Sequence, residues 1–272
     1  ENYGSLSKRN REEQIAGSRV EIAPFKKDPA DFVLWKPSND KQPGWDSPWG
    51  YGRPGWHTEC SAMSEKTLGL PFDIHGGGRD LTFPHHENEI AQSCCSSADI
   101  NNPNSYVNYW MHNGFVTVNG EKMSKSLGNI SLVKDLTDSN HGEVVRLALL
   151  SSHYRQALDW NEKVIHQSKR LLDKLYNLLN EIKEVEPSKD LSLSDSFISP
   201  LLDDLNTPGL IANLNKMIKD FYSISENELP VFKTNLIRAT NLIGVCQSSY
   251  EDWLSVKNEN IDEEKINILI AE

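Results

Sequence analysis

Between Gly55 and Glu89 the chain sets a cysteine, two adjacent histidines and a carboxylate where one metal ion could collect them. The ends of this stretch read Gly55-Trp56-His57-Thr58-Glu59-Cys60 and Phe83-Pro84-His85-His86-Glu87-Asn88-Glu89. A thiolate, an imidazole and a carboxylate together suit Zn²⁺, which takes S, N and O ligands tetrahedrally and usually keeps one position open in catalytic sites. Spacing alone leaves a second reading open, because a free cysteine is commonly a small buried hydrophobe and a histidine pair at a helix start is commonly a surface or cap feature. The zinc-protease motifs do not fit: Ile90 stands where His86-Glu87 would need a second histidine, and no His-x-x-Glu-His occurs. A metal here would serve other chemistry.

Helices and a strand must bring these residues together. Pro84 suits the first position of a helix over 84–97, which sets His85 and Glu89 four residues apart on one face, a chelating spacing. Cys60 falls in a second predicted helix after Pro54-Gly55. Phe72-Asp73-Ile74-His75-Gly76-Gly77-Gly78 reads as a short buried strand ending in a flexible glycine loop, so strand, turn and helix would return His85 toward Cys60. Upstream, residues 1–30 are polar, and the pattern around Ser18–Ile22 reads as the tail of a helix followed by an edge strand or extended linker. Asp31–Lys36 is a strand candidate. The loop that follows carries Pro43-Gly44, Ser47-Pro48 and Pro54-Gly55 among Trp45, Trp49 and Tyr51. Such rings more often pack a loop onto a core than bind a ligand, but here they lead directly into Trp56 and Cys60.

Downstream, Asn119-Gly120 between Val116-Thr117-Val118 and Glu121-Lys122-Met123 is a strong hairpin signal. Lys122-Met123-Ser124-Lys125-Ser126-Leu127-Gly128-Asn129 then forms a cationic loop that could close on a polyphosphate, although such a loop in isolation is more often plain surface than active site. From Glu143 the pattern is helical. A short buried helix covers Val144–Leu149, and a long amphipathic one spans roughly Asn161 to Glu184, with apolar residues at spacings of three and four. Thr207-Pro208 predicts a cap and first position, and further helices are expected over 208–225, 231–246 and 262–271.

The chain has 272 residues, of which 38% are hydrophobic and 25% charged, so about two soluble globular domains are expected. No apolar run approaches the ~20 residues of a membrane span, and the start lacks both a signal-peptide core and a methionine. A cytoplasmic protein, and a piece of a longer chain, is the expectation. Four cysteines, two of them adjacent at Cys94-Cys95, make a poor disulfide framework. The net charge of −11 argues against general nucleic-acid affinity and leaves room only for a local basic surface.

Taken together, Ser47–Gly50, Gly55–Met63, Phe72–Asp80, Phe83–Ser93, Trp110–Gly114, Lys122–Asn129 and Asp203–Pro208 resemble, in order, the motifs of bacterial cysteinyl-tRNA synthetases, a class I family. The resemblance implies an α/β fold: the C-terminal part of a Rossmann-type catalytic domain, followed by an all-α helical bundle. It implies a catalytic portion over 1–130 with the zinc site and the lysine loop, a stem-contact helical region over 131–190, and a helical anticodon-side domain over 191–272, truncated at its end. Cys60, His85 and Glu89 match the family's zinc ligands. Lys122 and Lys125 match its mobile signature loop, with Lys125 assigned to ATP, and Trp56, His57, His75 and Asp80 match positions lining the cysteine pocket. The family's His-x-Gly-His signature and a fourth zinc-ligand cysteine would precede Glu1. The implied activity is ATP-dependent ligation of L-cysteine to tRNA(Cys) through a cysteinyl-adenylate, with one Zn²⁺, with Mg²⁺ accompanying ATP, and with the chain acting as a monomer off the membrane. Two alternatives are a related cysteine ligase of mycothiol synthesis, whose acceptor is an amino sugar, and a zinc-stabilised helical interaction module without catalysis.

Overall fold

The computed structural model describes residues 3–10, 12–13, 26–96, 102–124, 127–190 and 192–258. The edge strand expected around Ser18–Ile22, the helix expected over 262–271 and Lys125 lie outside the described residues. The chain forms two compact units, Glu1–Gly114 and Phe115–Glu272.

In the first unit, β1 (Trp35–Pro37) pairs antiparallel with β2 (Gly52–Pro54), and α1 (Trp56–Leu68) follows directly. The strand expected over Asp31–Lys36 is therefore shorter and later. Asp31 instead closes a turn, its carboxylate accepting from Lys27 N at 3.2 Å and Asp28 N at 3.0 Å. Next comes a strand–crossover–strand unit: β3 (Phe72–Gly78), α2 (Glu87–Ser96) and β4 (Val107–Asn113), with the two strands parallel. Parallel strands require such a crossover, and here the helix is part of it.

Two expectations need correction in this unit. The three glycines continue β3 rather than forming a loop, pairing with Met111, His112 and Asn113. Gly77 is needed for close approach, since a Cβ there would meet the His86 ring at 2.8 Å. Pro84 does not open the helix. Thr82–His86 is a wide π-type turn in which Phe83 is extended (φ −139°, ψ 132°), and the α-helix proper starts at Glu87. A residue before proline is pushed from helical to extended backbone, which accounts for the delay.

The second unit opens with the expected hairpin, β5 (Val116–Val118) and β6 (Glu121–Lys122), turned by Asn119 (φ 52°) and Gly120 (φ 81°). β5 also pairs in parallel with β7 (Leu158–Trp160), so the hairpin belongs to this unit. Helices α3 (Val133–Ser139), α4 (Gly142–Leu150), α5 (Glu162–Glu181), α6 (Asp195–Leu202), α7 (Thr207–Asp220), α8 (Leu229–Ile243) and α9 (Tyr250–Asn258) complete it. The long helix matches its expected span, with the Asn161 side chain capping Val164 N at 3.0 Å. Asn206, not Thr207, caps α7 by accepting from Gly209 N, while the Thr207 hydroxyl donates to Leu150 O at 2.8 Å. No described helix is long and apolar enough to cross a membrane.

Leu172, Leu175, Leu210, Leu214, Leu236 and Ala239 fill the core between α5, α7 and α8. Glu143, buried at the start of α4, accepts from Cys246 N and Gln247 N at 2.8 Å each and from the Tyr176 hydroxyl at 3.0 Å. One carboxylate thus ties α4, α5 and the segment leaving α8. Glu143→Ala removes the acceptor of two partly buried backbone donors and a buried phenol, and is expected to cost about 1–3 kcal/mol. Denaturant unfolding checks this: the midpoint should fall with the slope unchanged.

Candidate metal and substrate site

Glu89 stands at the centre of the first unit and is fully buried. A donor atom from each of Cys60, His85 and Glu89 lies within 4.8 Å of the other two, so α1 and the π turn with α2 do bring the expected ligands together. His75, His86 and Glu89 form a second group that satisfies the same limit. The Glu89 oxygens discriminate between the two. Oε2 is committed, accepting from the Tyr106 hydroxyl at 2.8 Å and facing His75 Nε2 at 3.2 Å. Oε1 lies 2.6 Å from His85 Nε2 and has no further partner among the described residues. A buried carboxylate oxygen and a ring nitrogen that converge beside a thiol make a donor set that fits a metal ion.

The electrostatics point the same way. Burial pushes the pKa of His57 down to about 4 and that of His86 down to about 3, and it lowers that of His75, so these rings are neutral near pH 7. Burial also raises the Cys60 thiol, with Glu89 and Glu59 adding to the effect. For Glu89 itself, burial favours the neutral acid, but the contacts with His85 and Tyr106 outweigh it and hold the carboxyl below its usual range. Its ion-pair partners are imidazoles, with no lysine or arginine among the described residues. A buried carboxylate with no full cation beside it is costly. A divalent ion would supply that charge and turn Cys60 into a thiolate.

The other expected site residues surround this centre. Trp56 stacks on His85 with centroids 4.1 Å apart, and His57 Nδ1 lies 2.7 Å from His85 Nδ1, so the nitrogen of His85 facing Glu89 is the opposite one. That contact orients the ring as partners of metal-bound histidines commonly do. Asp80 is exposed and lines a cavity of about 600 Å³ together with Trp56, His57 and His85. Lys122 lies in the other compact unit, on β6, its ammonium 5.7 Å from the centre of the Phe115 ring. Lys125 lies outside the described residues.

Sequence reasoning missed Tyr106, His112 and Trp110. His86 Nδ1 meets His112 Nε2 at 2.8 Å, and its ring lies 5.0 Å from that of Trp110. The available signal was the alternation Trp110-Met111-His112 on a strand, which points Trp110 and His112 to one side. Tyr106 gave none, since its partner Glu89 comes from a different element.

Comparison with known proteins places this geometry. A family model described as tRNA synthetases class I (C) catalytic domain matches residues 1–170. A cysteine–tRNA ligase of Parvibaculum lavamentivorans is 52% identical over 274 residues, covering 99% of this chain and 58% of that protein. One of Pelagibacter ubique is 48% identical over 273 residues, covering 100% of this chain and 57% of that protein. The chain thus spans little more than half the length of these relatives. The crystal structure of an Agrobacterium radiobacter K84 agnB2 LeuRS–tRNA–LeuAMS ternary complex shares the fold over 76% of this chain and 35% of its own, with a TM-score of 0.54 and 14% identity. On the extent of the family match, this chain belongs to the class I (C) tRNA synthetase catalytic-domain family.

Proposed function

We propose that the full-length protein is a cysteine–tRNA ligase. It activates the carboxylate of L-cysteine on the α-phosphate of ATP, releases pyrophosphate, and passes the cysteinyl group from the adenylate to the 3′ end of tRNA(Cys). The convergence of Cys60, His85 and Glu89 beside the Trp56 ring carries this reading, in a chain whose relatives bear that name. Cys60, His85 and Glu89 are the residues that hold Zn²⁺. When bound, Zn²⁺ supplies a soft Lewis acid with an affinity for a thiolate that the hydroxyl of serine cannot match.

The chain's own residues do the rest. His57 fixes the His85 ring, and His75 with Tyr106 holds the second oxygen of Glu89. Trp56 lines the cavity beside His85, and Asp80 receives the substrate ammonium there. Lys122 and Lys125 neutralise charge building on the departing pyrophosphate of Mg²⁺-bound ATP, as preorganised cations do in phosphoryl chemistry. Exposed Ile74 and Tyr109, register neighbours on the parallel β3–β4 pair, form a face that a parallel sheet ordinarily keeps covered, which supports further elements packed over it in the full-length protein.

Acceptor choice tests the reading. Charging of tRNA(Cys) supports it, and transfer to an amino sugar instead would assign the protein to the mycothiol branch. Metal analysis of the full-length protein should find zinc bound to the wild type and largely lost from Cys60→Ser and His85→Ala. Variants that keep wild-type zinc would move the metal elsewhere. In pre-steady-state assays, Lys125→Ala should slow adenylate formation by on the order of 10²-fold or more while L-cysteine affinity stays near that of the wild type. An unchanged rate would return that lysine to an ordinary surface loop.

A further inference from the structure

The ribbon made by β1, β2 and their connecting loop is locked by its own hydrogen bonds. Trp45 N donates to Gly52 O at 2.7 Å and Gly52 N returns a bond to Trp45 O at 3.0 Å. Gly50 O accepts from the Ser47 hydroxyl at 2.7 Å and from Trp35 Nε1 at 3.3 Å. This rigid scaffold turns its rings outward: Trp45 is 60% exposed, Trp49 76% and Tyr51 47%. Trp49 is braced against Trp35 with centroids 6.1 Å apart. The second unit, by contrast, buries Trp160 and Trp253. A braced cluster of large rings held in water marks a surface that meets something.

Its charges indicate what. Lys36 and Arg53 face each other in register across the ribbon. Among the described residues the Arg53 guanidinium donates to the neutral acceptors Pro37 O, Ser38 Oγ and Gln42 Oε1 and to no carboxylate. With Lys41 the ribbon carries three cations against Asp40 and Asp46, a local excess in a chain of net charge −11. Lys36 and Arg53 also line the cavity that reaches Trp56, His57 and His85. Outward aromatic rings followed by a cationic rim that leads into a reaction cavity match the needs of unpaired nucleotides, whose bases stack on rings while cations follow the phosphates.

We propose that this ribbon is a stacking platform for the unpaired 3′ end of the acceptor RNA. Terminal bases rest on Trp45 and Trp49, and Lys36 and Arg53 draw the phosphates toward the cavity. The inference rests on the ligase reading and adds to it the surface that delivers the RNA end.

The test uses full-length protein with Trp45→Ala, Trp49→Ala and Trp49→Phe, and two forms of tRNA(Cys), intact and trimmed of its unpaired 3′ nucleotides. Cysteine-dependent exchange of pyrophosphate into ATP, which needs no RNA, should be unchanged in all three variants. Affinity for intact tRNA should fall roughly 5- to 150-fold in each alanine variant. Affinity for trimmed tRNA should match that of the wild type, and Trp49→Phe should recover most of the loss. Equal losses with intact and trimmed tRNA, or no loss with either, would overturn the platform. A joint fall in exchange and melting temperature would also overturn it, because the rings would then be packing against another part of the protein. A wild-type protein that exchanges no pyrophosphate would instead remove the ligase reading, and this inference with it.

Discussion

A negative charge with no lysine or arginine beside it, at the centre of the first unit, is the constraint from which the site follows. Glu89 is fully buried, and the groups facing it are three imidazoles, a phenol and a thiol. Low dielectric makes an isolated carboxylate expensive, and neutral rings can share its hydrogen bonds but cannot cancel its charge. The surrounding architecture holds these groups in place. Glycines in β3 let the His86 ring approach the strand, the π turn sets His85 one helical turn before Glu89, and α1 presents Cys60 and His57 from the other side. Such an arrangement is poorly stable when empty and well matched to a divalent ion.

The second unit holds its own buried carboxylate by hydrogen bonds. Glu143 is also a buried carboxylate, but it is satisfied by two backbone N–H groups and a tyrosine, and so acts as a tie between helices. Asp159 plays a similar part at the surface, accepting from Thr117 Oγ1 and Gly120 N and thereby holding the hairpin that carries Lys122. Glu89 and Glu143 differ in their partners: the described groups around Glu89 are imidazoles, a phenol and a thiol, whereas Glu143 accepts from two backbone N–H groups and a phenol.

Much of this was legible in the sequence where the controlling interactions are local. The Asn119-Gly120 turn, the amphipathic run of α5 with its Asn161 cap, and the four-residue spacing of His85 and Glu89 all rest on neighbours along the chain. What escaped depends on distant partners. The extended Phe83 delays α2, the strand pairing of Gly76–Gly78 needs β4, and Tyr106 acquires meaning only from Glu89. Asn206 takes the cap expected of Thr207, just after Asp204 and Leu205 in left-handed backbone, where the Asp204 carboxylate accepts from Arg155 and the Tyr154 hydroxyl. No periodicity announces a bond of that kind.

The central claim is that Cys60, His85 and Glu89 form a zinc centre that selects its substrate through sulfur. X-ray absorption at the zinc edge of the full-length protein, with and without L-cysteine, tests this most directly. The account predicts a shell of mixed sulfur and nitrogen or oxygen donors that gains one sulfur when L-cysteine binds and does not change with L-serine. A shell unaltered by L-cysteine, or protein that carries no zinc, would contradict it.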